Sequence, residues 1–261
     1  MATYPLIASG SSVAINLPGG AIGISMILGV GLNYAKHAAE QGSELPERPV
    51  LFAKNIAALT TGFGAIRVPK ICQDAGLTAA GAGGVAVAVG PEGLQVDYEG
   101  ELAIVIGPSP DPALRCRDVS EEDAHKFILG YAVANDVSAR WWQKSGSGGQ
   151  FTRGKGFDTF CPLSDITPAA EVGNTNALKL VTKVNGQVRQ DSSTADMIFS
   201  VYKLVAELSQ GTTLLPGTVI LTGTPEGVGM ARKPQMFLRD GDVVEVKIER
   251  VGRICNRVEF E

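Results

Sequence analysis

The chain has no run of lysines and arginines that would form a basic patch. Its 23 basic and 27 acidic residues give a formal net charge of −4 and a pI of about 5.4. Nucleic acids and acidic membrane surfaces attract proteins that present clustered positive charge. The composition therefore argues against nucleic acid or a membrane as partner, and a small molecule is expected instead.

Paired cysteines and long apolar runs are also missing. The apolar stretch at residues 21–32 contains three glycines and is too short to span a bilayer. The N-terminus lacks the basic segment and apolar core of a signal peptide. A cytoplasmic protein is therefore expected, with a mitochondrial location left open. The absence of a CxxC pair argues against a zinc site or a redox dithiol and favours reduced thiols at Cys72, Cys116, Cys161 and Cys255.

Aromatic residues are scarce, at 6%, whereas glycine is abundant, with 32 residues. Many glycines indicate many tight turns and close backbone approaches. Strand patterns dominate, and neither a regular βαβ alternation nor an internal repeat is present. We therefore expect a β-rich α+β fold with mixed sheets and few helices. Residues 1–25 are expected to form a short N-terminal arm, and residues 26–261 a single catalytic domain.

Four segments carry more specific structural predictions. Residues 96–107 are predicted to form one long strand. Residues 120–130 are predicted to form a helix, because a capping-box pattern opens the segment and a glycine closes it. Residues 194–210 are predicted to form a second helix, since apolar residues recur at helical spacing. The stretch 76–93, rich in glycine and alanine, is open to two interpretations, a hairpin or insertion and a mobile flap.

Three acidic residues form the first candidate site. Glu99 and Glu101 are two residues apart in a predicted strand, so their carboxylates point to the same face with Cβ atoms about 7 Å apart. Like charges beside an apolar segment repel each other unless a cation joins them. Asp136 follows another predicted strand and completes a hard oxygen set suited to Mg²⁺, Mn²⁺ or Ca²⁺. Spacing alone leaves an ordinary charged, solvent-facing strand as the alternative.

Eight segments resemble the fumarylacetoacetate hydrolase (FAH) family, in the family's order and over nearly the whole chain. The later part is most similar to the eukaryotic FAH-domain-containing members. Trp141 is a departure, since the family commonly has an acidic residue there, and it either packs or reshapes specificity. The matching segments are residues 30–40 (VGLNYAKHAAE), 50–54 (VLFAK), 97–107 (DYEGELAIVIG), 130–140 (GYAVANDVSAR), 154–162 (GKGFDTFCP), 184–190 (VNGQVRQ), 197–200 (MIFS) and 221–229 (LTGTPEGVG).

The resemblance implies that Glu99, Glu101 and Asp136 hold a metal ion. It also implies a catalytic pair that maps onto His37 and Glu40. The two residues of this pair are three apart, so they share one face of a helical turn. There the glutamate would orient the histidine as a general base for water. Without the resemblance, an ordinary polar helix face is the simpler explanation.

The resemblance implies further site residues. Lys155 is a third catalytic candidate. The resemblance also implies a homodimer, because members of the family usually form homodimers or higher even assemblies. Their substrates are acylpyruvates, fumarylacetoacetate-like diketo acids, oxaloacetate or ring-cleavage products. Substrate contacts, whose charges and donors suit a carboxylate or an oxyanion, map onto Lys54, Arg140, Gln143 and Thr224.

Three functions remain after these steps. A metal ion that draws charge onto two substrate oxygens stabilises an enolate, which serves several reactions. The first expectation is a metal-dependent hydrolase of C–C bonds in small diketo or acylpyruvate-type acids, working through a metal-bound enolate. The alternatives are an oxaloacetate keto–enol tautomerase or decarboxylase on the same site, and a non-catalytic binding protein that keeps the fold.

Overall fold

The computed structural model describes residues 2–9, 12–73, 79–80, 86–87 and 95–261. Most of the stretch 76–93 therefore lies outside the described residues, and so does the choice between hairpin and flap. Within it, only the short pair Ala79–Ala80 and Ala86–Val87 is described.

Strands dominate the described part of the chain. They are β1 (Leu6–Ser9), β2 (Ser12–Leu17), β3 (Gly20–Gly23), β4 (Met26–Gly31), β5 (Val50–Lys54), β6 (Leu59–Thr61), β7 (Ile66–Val68), β8 (Ala79–Ala80), β9 (Ala86–Val87), β10 (Val96–Asp97), β11 (Gly100–Ile106), β12 (Ile128–Asn135), β13 (Ser138–Ala139), β14 (Cys161–Leu163), β15 (Thr167–Pro168), β16 (Lys179–Val184), β17 (Gln187–Ser193), β18 (Thr218–Leu221), β19 (Val243–Ile248) and β20 (Gly252–Phe260). The α-helices are α1 (Ala35–Glu40), α2 (Arg140–Gln143), α3 (Phe151–Lys155), α4 (Ala169–Val172) and α5 (Val201–Ser209). Single 3₁₀ turns lie at Ile56–Ala58, Lys70–Cys72, Ala124–Phe127, Ser145–Ser147, Thr194–Asp196 and Gly229–Ala231.

Two mixed sheets organise these strands. The larger runs in the order β5-β4-β18-β11-β12-β14-β6, with β15 joined to β12, and the smaller runs β17-β16-β19-β20-β7. Most pairs are antiparallel, but β18 with β4, β14 with β6 and β20 with β7 are parallel. The β-rich α+β fold with mixed sheets and few helices, expected from the sequence, is confirmed.

Strand β11 lies in the middle of the larger sheet and is buried along its whole length. Leu102 and Ile104 belong to the core that includes apolar residues of the five-stranded sheet, whereas Ala103 and Val105 belong to a second core. Both faces of the strand are thus covered, which explains a continuous apolar run instead of an alternating one. At Gly100 an added Cβ would lie 2.2 Å from Thr182 Oγ1, so only glycine fits between the two acidic residues there.

Within the first 25 residues, β1, β2 and β3 form an antiparallel three-stranded sheet in that order. Ile15 of β2 is fully buried in the second core, and Tyr4 forms a bridge to Ile166. The arm expected from the sequence therefore has regular pairing and packs on the large sheet. None of the helices in the described part of the chain combines the length and apolar character needed to cross a bilayer.

The predicted helix at residues 120–130 is wrong. One 3₁₀ turn, Ala124–Phe127, is followed at once by β12, in which Gly130 pairs with Val105. A Cβ on Gly130 would lie 2.3 Å from the Thr167 carbonyl oxygen. The glycine therefore allows a neighbouring strand to approach and does not end a helix, and sheet pairing overrides the local capping pattern.

The predicted helix at residues 194–210 is shorter than expected. Helix α5 begins at Val201, after Ser200, whose Oγ accepts a hydrogen bond from the Lys203 N–H. The preceding Ile198 N–H donates to the Asn33 carbonyl instead of to a helical turn. A contact from a distant part of the chain therefore sets the start of this helix.

Candidate metal centre and active site

Two neighbouring strands bring the predicted metal ligands together. The predicted strand at 96–107 is interrupted for two residues between β10 and β11. In the gap, the Glu99 N–H donates to Asn135 Oδ1 at 2.9 Å, and the Asp136 N–H donates to the Glu99 carbonyl at 2.8 Å. These bonds fix the start of β11 beside the end of β12, so the acidic side chains of both segments converge.

The three acidic residues form one compact cluster. Carboxylate oxygens of Glu99, Glu101 and Asp136 lie within 4.8 Å of one another, and all three residues are buried. Three convergent oxygen donors without a cysteine or histidine suit a hard divalent cation. The structure thus assembles the cluster that the sequence analysis indicates.

Two lysines neutralise part of this cluster. The Lys155 ammonium donates to Glu99 Oε2 at 2.7 Å, to Asp136 Oδ2 at 2.5 Å and to Ser138 Oγ at 2.8 Å. The Lys54 ammonium donates to Asp136 Oδ1 at 2.5 Å. Burial acts to lower the pKa of Lys155, but the charges of Asp136 and Glu99 outweigh it and raise this pKa. Lys155 is therefore a fixed positive charge in the site.

Arg140 is held by a fourth buried carboxylate that the sequence analysis misses. Its Nε and Nη2 donate to Asp97 Oδ2 at 2.9 and 2.8 Å, and its Nη1 lies 2.6 Å from Glu99 Oε1. Asp97 also accepts hydrogen bonds from the Gly229 and Met230 N–H groups. The available signal is the D-x-E-x-E spacing, which places a third acid at an alternate position of the same segment.

The charge balance of the site favours a cation at Glu101. Burial opposes the ionisation of Glu99, but Lys155 and Arg140 outweigh it and hold its pKa at about 2. Burial, Asp136 and Glu99 together raise the pKa of Glu101 well above its usual range. Among the described residues, no lysine or arginine forms an ion pair with Glu101. A divalent ion would supply the positive charge that Glu101 lacks, so the residues present fit such an ion.

A peptide bond of the loop after β18 orients Glu101. The Gly223 N–H donates to Glu101 Oε2 at 2.7 Å, and the carbonyl of the same peptide, on Thr222, accepts from Asn33 Nδ2 at 2.7 Å. The two groups of a trans peptide point in opposite directions, so the hold of Asn33 on the carbonyl aims the N–H at the carboxylate. Asn33 is fully buried, and its amide also exchanges hydrogen bonds with the Phe199 backbone.

Replacing Asn33 with alanine should therefore weaken metal binding as well as the fold. We expect the Mn²⁺ dissociation constant to rise about tenfold or more, as for other groups that orient metal ligands. Unsatisfied buried partners should lower the free energy of unfolding by about 2–4 kcal/mol. Calorimetric Mn²⁺ titration and urea unfolding measure the two effects. The exposed Asn176→Ala is the control, and an unchanged Mn²⁺ affinity in Asn33→Ala would show that Gly223 needs no such support.

The predicted catalytic pair lies on α1. His37 Nδ1 lies 3.2 Å from Glu40 Oε2, and the Gly227 N–H donates to Glu40 Oε1 at 3.0 Å. On the other side of the ring, the Gln41 amide nitrogen lies 2.6 Å from His37 Nε2. A neutral imidazole satisfies both contacts when Nδ1 carries the proton and Nε2 keeps its lone pair. That protonation state is the one a general base requires.

One cavity joins His37 to two carboxylates of the acidic cluster. It contains about 560 Å³ of space, including its opening to solvent. His37, Glu99, Glu101 and Lys155 all line it, so a small molecule inside would meet the base and the carboxylates together. Its other lining residues are Val30, Gly31, Leu32, Gln41, Phe52, Arg140, Gln143, Lys144, Phe151, Thr224 and Met230.

The predicted substrate-binding residues fall into two positions. Arg140, Gln143 and Thr224 line the cavity, and Arg140 Nη1 donates to Gln143 Oε1 at 2.9 Å. Lys54 is not part of this wall, because its fully buried ammonium lies against Asp136. The structure therefore places Lys54 with the acidic cluster and the other three at the cavity.

Trp141 takes a packing position. Its ring meets the Trp142 ring edge to face, with centroids 4.8 Å apart, and lies close to Gly146. The cavity is lined instead by Lys144, which the sequence analysis does not single out. A lysine beside a serine- and glycine-rich segment has the pattern of an ordinary surface charge, so the sequence offers no signal for it.

Fold and site together define a class: β-rich α+β proteins in which buried carboxylates suited to a divalent cation share a cavity with a histidine that bonds a glutamate. The chain belongs to the fumarylacetoacetate hydrolase family, since the family model described as fumarylacetoacetate (FAA) hydrolase C-terminal matches residues 26–259. The resemblance inferred from the eight sequence segments is confirmed.

Relatives of the chain catalyse several related reactions. The Bos taurus protein "Oxaloacetate tautomerase FAHD2A, mitochondrial" is 40% identical over 230 residues, 88% of this chain but 65% of the relative's length. A 5-carboxymethyl-2-hydroxymuconate delta-isomerase from Mycobacterium smegmatis superposes with a TM-score of 0.72 at 35% identity, over 99% of this chain and 94% of its own. Fumarylpyruvate hydrolase from Pseudomonas aeruginosa, in complex with Mn²⁺ and pyruvate, gives a TM-score of 0.76 at 28% identity, over 98% and 99%.

Proposed function

We propose that the protein is a metal-dependent enzyme that interconverts the keto and enol forms of a small 2-oxo acid of the oxaloacetate type. The observation that carries this proposal is that His37, held by Glu40, opens onto the same cavity as Glu99 and Glu101. The 40% identity to a tautomerase supports the reaction, and the Mn²⁺ in the hydrolase neighbour supports a metal.

Glu99, Glu101 and Asp136 would hold Mg²⁺ or Mn²⁺. When bound, such an ion supplies Lewis acidity to the oxygens of a 2-oxo acid. Lys155 stays positively charged beside these carboxylates and balances the negative charge that develops on the substrate.

His37 would move the proton. Its Nε2 takes a proton from the carbon next to the substrate carbonyl, after the exposed Gln41 turns away. Glu40 accepts the Nδ1–H hydrogen bond and stabilises the imidazolium that forms. His37 then returns the proton to the substrate oxygen, so the keto form becomes the enol and no atom is gained or lost.

Hydrolysis of a C–C bond in an acylpyruvate-type acid is the second candidate, favoured by the fumarylpyruvate hydrolase neighbour. Here His37 would take a proton from water, whose oxygen adds to the distal carbonyl. The C–C bond then breaks, one fragment leaves as a carboxylic acid, and the other takes up a proton as pyruvate. The same residues serve both reactions, so the substrate decides between them.

A substrate panel separates these candidates. The protein is stripped with a chelator, reloaded with Mg²⁺ or Mn²⁺, and mixed with enol-oxaloacetate or an acylpyruvate. We expect a metal-dependent loss of enol absorbance, with total oxaloacetate conserved and no pyruvate or CO₂ released. Release of two acids from the acylpyruvate would favour hydrolysis, and CO₂ release would favour decarboxylation. Tight metal binding without any turnover would leave a non-catalytic binding protein.

A further inference from the structure

The cations that line the cavity differ in whether a carboxylate already neutralises them. Arg140 and Lys155 are each held by two buried carboxylates. Lys144 lines the same cavity, yet no carboxylate in the described part of the chain forms an ion pair with it. Among the lysines and arginine of this wall, Lys144 is therefore the one without a carboxylate partner in the described part of the chain.

Backbone hydrogen bonds fix the position of the Lys144 main chain. Lys144 directly follows α2, and its N–H donates to the carbonyls of Arg140 and Trp141. Its own carbonyl accepts a hydrogen bond from the Gly149 N–H at 2.7 Å. Partial burial and the nearby charge of Arg140 lower the pKa of Lys144, as expected for an ammonium close to the charged wall of the cavity.

We propose that Lys144 binds the second carboxylate of a dicarboxylic substrate and makes the site selective for 2-oxo dicarboxylic over 2-oxo monocarboxylic acids. The proposal rests on the proposed function, in which an ion held by the acidic cluster would engage oxygens of the 2-oxo acid. Gln143 lies beside Lys144, and because its carbonyl oxygen accepts from Arg140, its amide NH₂ is oriented as a second donor.

Apart from His37, Gln143 and the charged residues, the wall offers a carboxylate only the neutral side chains of Gln41 and Thr224 as polar partners. Leu32, Phe52, Phe151 and Met230 present apolar surface to the cavity. A carboxylate placed against them would lose hydration without compensation. The distal negative charge of a dicarboxylic acid is therefore directed to Lys144.

A neutral analogue of the substrate tests this assignment. Oxaloacetate and its 4-methyl ester share the enolising group but differ in the distal charge. We expect Lys144→Met to raise the KM for oxaloacetate about tenfold, the loss of one charge-assisted hydrogen bond, and to change the constants for the ester less than about twofold. Lys144→Arg should restore most of the preference.

A second readout needs no turnover. Malate and lactate are both 2-hydroxy acids, and malate alone has a second carboxylate. With Mg²⁺ present, malate should raise the melting temperature of the wild type more than lactate does, and this difference should vanish in Lys144→Met. Lys247→Met is the matched control, because Lys247 is exposed on β19 and does not line the cavity.

The outcomes distinguish the two proposals. An active wild type whose Lys144→Met variant keeps the full preference for oxaloacetate over the ester would overturn the role of Lys144 and leave the proposed function intact. A wild type that turns over neither compound would remove the proposed function. In that case the malate–lactate comparison still decides whether Lys144 selects a second carboxylate.

Discussion

Replacing Glu101 with glutamine should abolish metal-dependent activity and at the same time stabilise the metal-free protein. Burial, Asp136 and Glu99 disfavour the Glu101 charge, and glutamine removes this charge while keeping an acceptor for the Gly223 N–H. We expect turnover with Mg²⁺ to fall about a hundredfold or more, because the cation loses one of three anionic ligands. The metal-free variant should unfold about 2–4 °C above the metal-free wild type, the shift expected for roughly 1 kcal/mol in a chain of this size.

This prediction is specific because activity should fall while the stability of the metal-free protein rises. Thermal unfolding with and without Mn²⁺ measures both, because Mn²⁺ should raise the melting temperature of the wild type and not that of Glu101→Gln. Glu259→Gln, at an exposed position of β20, controls for loss of a surface charge. A Glu101→Gln variant that melts below the metal-free wild type would show that this carboxylate is not strained without a cation.

The three candidate metal ligands could be predicted from the sequence, because their residue types and spacing are visible in short segments of the chain. Two acids at alternate positions beside an apolar run require either exposure to water or a compensating positive charge. The strand is broken at Glu99, but Asn135 Oδ1 accepts a hydrogen bond from the Glu99 N–H in place of a neighbouring strand. The acidic side chains therefore still converge. The β-rich fold is predictable for a similar reason, because the central strands are continuous apolar runs.

Contacts between distant segments account for what the sequence does not show. Asn33 orients a peptide 189 residues away, and no local pattern distinguishes it from an ordinary loop asparagine. Gly130 resembles a helix end until the approach of β15 is known. Lys54 has the charge of a substrate contact, but its position behind Asp136 makes it a counter-ion of the cluster. Local residue types predict chemistry well, whereas tertiary packing decides which atoms that chemistry reaches.

Replacing His37 with alanine should remove the proton transfer and leave the metal in place. His37 does not bond Glu99, Glu101 or Asp136, so Mn²⁺ affinity should stay within about twofold of the wild type. Turnover of oxaloacetate should fall about 10²- to 10⁴-fold, the usual contribution of a positioned general base. Glu40→Gln keeps an acceptor for Nδ1–H but loses the charge that stabilises the imidazolium, so its kcat should fall by a smaller factor of about ten or more. Stopped-flow enol absorbance and Mn²⁺ calorimetry measure rate and affinity separately.

The chain contains one matched control for this test. His125 is its second histidine, exposed and bonded to the Glu122 carbonyl, so His125→Ala should keep full activity. If His37→Ala kept the wild-type rate, the base would have to be another group that lines the cavity. Lys155 is a poor substitute, because Asp136 and Glu99 raise its pKa and keep it protonated. Glu99, whose pKa is about 2, is too weak a base to remove a carbon-bound proton efficiently. Of these three groups, His37 is the one whose position and hydrogen bonds suit the transfer.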